Sequence, residues 1–128
     1  MADVVALVDD LFFQAKMLET ARQVGVELKT VTTGEAFLAE ALETGQAGGQ
    51  QTEKTLPALL IVDLNARCGA LEALERLRAA GNQKPVLAFL SHVQVGLAER
   101  ARAAGCQQVL PRSKFTRELA AILSGAKS

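Results

Sequence analysis

Asp9, Asp10 and Asp63 are the residues of this chain whose types and settings best suit chemistry. Each acidic site closes an aliphatic run. Val4-Val5-Ala6-Leu7-Val8 leads into Asp9-Asp10, and Leu59-Leu60-Ile61-Val62 leads into Asp63, with Asn65 two residues further on. Ser91 follows a third run, Val86 to Leu90, and two cations, Arg112 and Lys114, follow Gln108-Val109-Leu110-Pro111. Carboxylates held together repel one another, and the physical remedies are protonation or a bound cation. A hard divalent ion with oxygen ligands, Mg²⁺, is the natural solution. Beside such an ion Asp63 could attack a phosphoryl group and carry it as an aspartyl phosphate, with Ser91 and a cation stabilising the remaining oxygens.

That chemistry requires elements that bring distant residues together. Short unbroken apolar runs suit strands buried on both faces of a parallel sheet, and Pro57 reads as the entry to the run that ends in Asp63. Ligands of open parallel sheets sit beyond the carboxyl ends of the strands, where these polar groups fall. Helical character runs from Leu11 to about Val24, with Gly25 as an αL cap. Glu27 to Val31 alternates polar and apolar residues, as an edge strand does. Thr32 and Glu35 have capping-box spacing and open a helix carrying Ala36, Phe37, Leu38, Ala41 and Leu42. Thr44 to Lys54, with Gly45, Gly48 and Gly49, reads as a mobile surface loop.

Leu71, Leu74 and Leu77 mark a third helix closed by Gly81, and Pro85 introduces the strand that ends at Ser91. A fourth helix spans about Gln94 to Ala104, capped by Gly105. Gln108 to Leu110 is a short fifth strand stopped by Pro111. Phe115, Leu119, Ile122 and Leu123 form one face of a final helix. Strand and helix alternate five times, which implies a doubly wound parallel sheet.

Composition narrows the classes. The chain has 128 residues, of which 49% are hydrophobic and 22% charged, an ordinary balance for one globular domain. Fourteen basic and fourteen acidic residues cancel, leaving no basic field for nucleic acid or a membrane surface. A single histidine and two cysteines, Cys68 and Cys106, match no zinc spacing, and reduced thiols are expected. With no membrane span and no basic-then-apolar leader, the expected location is cytoplasmic.

Together these residues resemble the receiver domains of bacterial response regulators. The matches are Val8-Asp9-Asp10, Ile61-Val62-Asp63-Leu64-Asn65, Leu90-Ser91, Ala104-Gly105 and a basic residue just beyond the fifth strand. The resemblance covers roughly residues 3 to 124, and the expectation is a single domain, 1–128, without an output domain. It implies a flavodoxin-like (βα)5 sheet of order 2-1-3-4-5 and a phosphoacceptor at Asp63. Mg²⁺ would be held by Asp9, Asp10, Asp63 and the backbone carbonyl of Asn65. Ser91 would be the hydroxyl that follows the phosphoryl group. The donor would be a histidine kinase or phosphotransfer protein, and the receiver itself would catalyse the transfer without being a dedicated enzyme. Output would pass to another protein through the helix 4–strand 5–helix 5 face, and a homodimer is compatible with this.

The chain departs from the family at several positions. Arg112 stands where the family has a lysine, with Lys114 as an alternative, and a planar guanidinium is no replica of a compact ammonium. His92 follows Ser91 where a small residue is usual. Val109 takes the place of the switch aromatic. Ala66-Arg67-Cys68-Gly69 replaces a longer loop, and Phe12 and Phe13 follow the acidic pair, where one of them could lie exposed beside the crevice as a partner contact. Other readings stand beside the chemical one: Asp63 or one of Asp9-Asp10 could cap a helix, and Ser91 with Gln94 has capping-box spacing. Two competing functions follow: a pseudo-receiver that binds partners without phosphorylation, and a small phosphatase using Asp63. A nucleotide-binding Rossmann domain would need a glycine-rich turn where Asp9-Asp10 stands.

Overall fold

The aliphatic runs pair as strands because their β-branched and branched side chains fit a surface covered on both sides. In the computed structural model, which describes residues 3–41, 58–65, 69–80, 85–91 and 95–126, the strands are β1 (Val4–Leu7), β2 (Leu28–Val31), β3 (Leu59–Asp63), β4 (Val86–Leu90) and β5 (Gln108–Pro111). They form one parallel sheet in the order β2-β1-β3-β4-β5. This is the flavodoxin-like order that the sequence implied. The helices are α1 (Leu11–Val24), α2 (Gly34–Ala41), α3 (Ala70–Ala79), α4 (Val95–Ala103), α5 (Arg112–Arg117) and α6 (Leu119–Gly125).

Successive side chains on a strand point to opposite faces, so each strand feeds two cores. Val5, Leu7, Leu60, Val62, Val86, Ala88 and Leu90 pack with Phe37, Leu38, Leu74, Leu77 and Ala101, which puts α2, α3 and α4 on one face. Val4, Ala6, Ile61, Leu87 and Phe89 pack with Phe13, Met17, Ala21, Phe115, Leu119 and Leu123, which puts α1, α5 and α6 on the other. Asp63 continues the alternation one step past Val62, and therefore lies on the α1 and α5 side. Its backbone pairs with Phe89 of β4.

Several local expectations shift. Thr33, not Thr32, caps α2: its hydroxyl accepts the Ala36 N–H at 3.0 Å. The two threonines are adjacent, and the phase that buries Phe37, Leu38 and Ala41 starts the helix at Gly34, which puts Thr33 in the capping position. The final helix is interrupted at Glu118 (φ −102°, ψ 10°). Hydrogen bonds from Glu118 N–H to the Lys114 carbonyl and from Ile122 N–H to the Glu118 carbonyl carry the path across it. Gly25 caps α1 at φ 78°, as its position predicts. Pro57, the glycine-rich segment at 44–54, Cys68, Gly81, His92 and Gln94 lie outside the described residues.

Candidate functional site

The carboxyl ends of β1, β3, β4 and β5 bring the predicted residues to one end of the sheet. Asp63 is the deepest of them. It is 4% exposed and is the one buried charged residue among those described. Its Oδ1 accepts the Asn65 N–H at 2.9 Å, an Asx-type turn that closes the strand end. Burial pushes the Asp63 carboxyl above its ordinary value; the Asn65 N–H and the charge of Arg112 oppose the rise, while Asp9 and Asp10 add to it. That mutual influence shows that the acidic groups share one electrostatic neighbourhood.

Asp10 is held differently. As the N-cap of α1 it takes the Phe12 and Phe13 N–H groups on Oδ1, at 2.9 and 3.2 Å. Its other oxygen, Oδ2, accepts a hydrogen bond from the Arg112 guanidinium at 2.9 Å. That bond, followed by the helix N–H groups, holds the Asp10 carboxyl below its ordinary value. The helix-capping alternative therefore holds for Asp10. Asp9, one residue earlier, is half-buried.

Arg112 opens α5 directly after Pro111, with no intervening loop, and this aims its side chain back across the strand ends. Its guanidinium carbon lies 4.2 Å from the centroid of the Phe13 ring. Phe13 in turn packs on Phe89 and Phe115, whose rings stack at 4.4 Å. An arginine lying on an aromatic face is favoured electrostatically by the ring quadrupole. Of the two cations that the sequence offered, Arg112 is the one at the acidic groups. Lys114 is exposed on α5.

On the other flank Asn65 joins two strands. Its Oδ1 accepts the Ser91 N–H, so the residue two beyond Asp63 fixes the start of the chain that leaves β4. Ser91 itself is exposed, and α4 begins four residues later at Val95. Sequence reasoning missed two contributors. Phe13 serves as a platform for Arg112, whereas the sequence offered only that one of the two phenylalanines could lie exposed. Phe12 is that one, at 91%. Gln14 was not singled out. Its amide donates to the Val8 carbonyl and accepts from the Thr30 hydroxyl at 3.3 Å, tying the end of β1 to α1 and β2.

The residue types suit a divalent ion, and in this arrangement Arg112 already occupies one oxygen of Asp10. Both oxygens of Asp10 are taken, and among the described residues no three His, Cys, Asp or Glu side chains are grouped to hold a metal.

Comparison with known proteins agrees with the fold. No family model matches the chain, and no curated protein matches it in sequence. Solved structures do. The chain is similar to the phosphorylated cyanobacterial phytochrome response regulator RcpA, at 17% identity and TM-score 0.74 over 97% of this chain and 89% of that one. It is also similar to a Francisella response regulator receiver domain, at 13% identity and TM-score 0.75 over 98% and 96%. The BeF3-activated DrrB receiver domain matches at 16% identity and TM-score 0.71 over 98% and 97%. The fold of this chain is that of a response regulator receiver domain. No helix among the described residues is long and apolar enough to cross a membrane.

Proposed function

We propose that this chain is a receiver in two-component signalling, accepting a phosphoryl group on Asp63 and passing the signal on by protein–protein contact in the cytoplasm. The observation that carries the reading is the setting of Asp63. It is a desolvated carboxylate at the end of the central strand, between the Asp10–Arg112 pair on one side and the Asn65–Ser91 link on the other. Two of the solved structures that share this fold are described as phosphorylated and as activated with BeF3, which supports the same chemistry here.

The donor in this reading is a phosphohistidine on a kinase or phosphotransfer protein. An Asp63 oxygen attacks phosphorus, the P–O bond forms and the P–N bond breaks. The imidazole leaves with the bonding electrons and takes up a proton. Desolvation makes the carboxylate more basic and hence a better nucleophile once ionised. Arg112 supplies positive charge beside it for the phosphoryl oxygens, and the Ser91 hydroxyl offers a neutral donor. Because Ser91 leads toward α4, a contact made by that hydroxyl would be felt on the α4–β5–α5 face, the surface assigned to the downstream partner. Incubation with acetyl phosphate and Mg²⁺ is expected to add the mass of one phosphoryl group to the wild type and none to Asp63→Asn. Unchanged wild-type mass contradicts the proposal.

One observation favours a second reading, a pseudo-receiver that binds its partner without phosphorylation: Asp10 is fully engaged in the resting structure. Wild type and Asp63→Ala would then capture the same partners. A partner lost with Asp63→Ala speaks for the first reading.

A further inference from the structure

The acidic end of the sheet already contains a cation, and it belongs to the chain. Arg112 is fixed at two points: by its bond to Asp10 Oδ2 at 2.9 Å and by the Phe13 ring 4.2 Å beneath its guanidinium carbon. Phe13 cannot move aside easily, being 6% exposed and packed against Phe89 and Phe115. Asp10 is equally constrained, because its Oδ1 caps α1 through two N–H groups. The only Asp10 oxygen with freedom to change partner is Oδ2, and Arg112 holds it.

We propose that Arg112 is a built-in counter-cation that competes with divalent metal for Asp10. In the resting molecule the guanidinium offsets part of the acidic charge, and Asp10 Oδ2 becomes available to a divalent ion only as Arg112 leaves it. The two states are mutually exclusive at that atom. A guanidinium bound there adds a positive charge that repels an incoming divalent ion, and it removes a hard oxygen ligand from any metal set. The departure of this chain from a compact ammonium to a planar, stacking cation is what makes the competition possible. An ammonium could not lie on Phe13 with the same geometry. The inference concerns cation binding alone and stands whether or not Asp63 is phosphorylated.

Mn²⁺ binding, read as loss of the free-ion signal in electron paramagnetic resonance, tests it on the full chain without any phosphodonor. Arg112→Gln is expected to bind Mn²⁺ roughly tenfold more tightly than wild type, since one opposing charge is removed and one ligand oxygen freed. Adding Asp10→Asn to that variant should abolish the gain. Circular dichroism checks that each variant is folded. Should Arg112→Gln fail to fold, Arg112→Lys serves instead: it loses the stack on Phe13 and is expected to bind Mn²⁺ more tightly than wild type. Equal or weaker binding by a folded Arg112 variant overturns the proposal, as does a gain that persists without the Asp10 carboxylate.

Discussion

Two carboxylates at the same end of the sheet respond to pH in opposite senses. Asp10 is held below its ordinary value by Arg112 and the α1 N–H groups. Its contribution to stability is therefore fully present above the unfolded carboxylate value and lost as pH falls through the lower folded one. Asp63 is raised by burial. Its ionised form burdens the fold above the raised value, and the burden fades as pH falls through it. Asp63→Asn keeps an oxygen for the Asn65 N–H and removes the buried charge. Thermal melts across a pH series should show this variant more stable than wild type at neutral pH, with the gap closing as pH falls into the carboxylate range. A gap that does not depend on pH would contradict the desolvation argument. Cys106 is buried and its thiol is pushed up to about 11. Because the thiolate is the reactive form, Cys106 should react with a thiol reagent only as the protein unfolds. Residue types at the site were readable in the sequence, whereas partnerships were not. Nothing in the spacing of Asp10, Phe13 and Arg112 shows that one side chain bridges the other two, since that contact spans the fold.

At the level of elements the strands were the most legible, because an apolar run bounded by proline and carboxylate leaves little choice. The helix ends were less so. Thr32 and Thr33 both carry hydroxyls that can cap, and only the burial phase of Phe37, Leu38 and Ala41 selects Thr33. Thr33→Ala should cost about 1 kcal/mol in chemical denaturation, and Thr32→Ala much less. The reverse ranking would place the cap at Thr32. The interruption at Glu118 left no trace in the sequence, since Phe115, Leu119 and Leu123 keep helical spacing across it and all remain buried.

For the molecule as a whole, the sheet divides two cores, and the site rests on the one that holds the aromatic rings. Phe13, Phe89 and Phe115 come from α1, β4 and α5 and meet one another, with the Phe13 ring beneath Arg112. Phe89→Ala should cost about 3–5 kcal/mol, the range for emptying a buried aromatic site. Phe12→Ala, at a position 91% exposed, should stay within about 0.5 kcal/mol of wild type. Comparable losses would mean that Phe12 has a buried partner. The doubly wound character was legible because every parallel connection needs a crossover helix, and the strand order came with the receiver resemblance, but the aromatic floor joins three elements far apart in sequence and emerges only from the packing. In the proposed reading this arrangement serves one carboxylate, and reductive trapping tests its role most directly. Borohydride converts an aspartyl phosphate to homoserine, which peptide mass spectrometry locates. After treatment with phosphodonor, homoserine is predicted at position 63 and nowhere else; its absence there, or its appearance at Asp9 or Asp10 instead, would contradict the assignment.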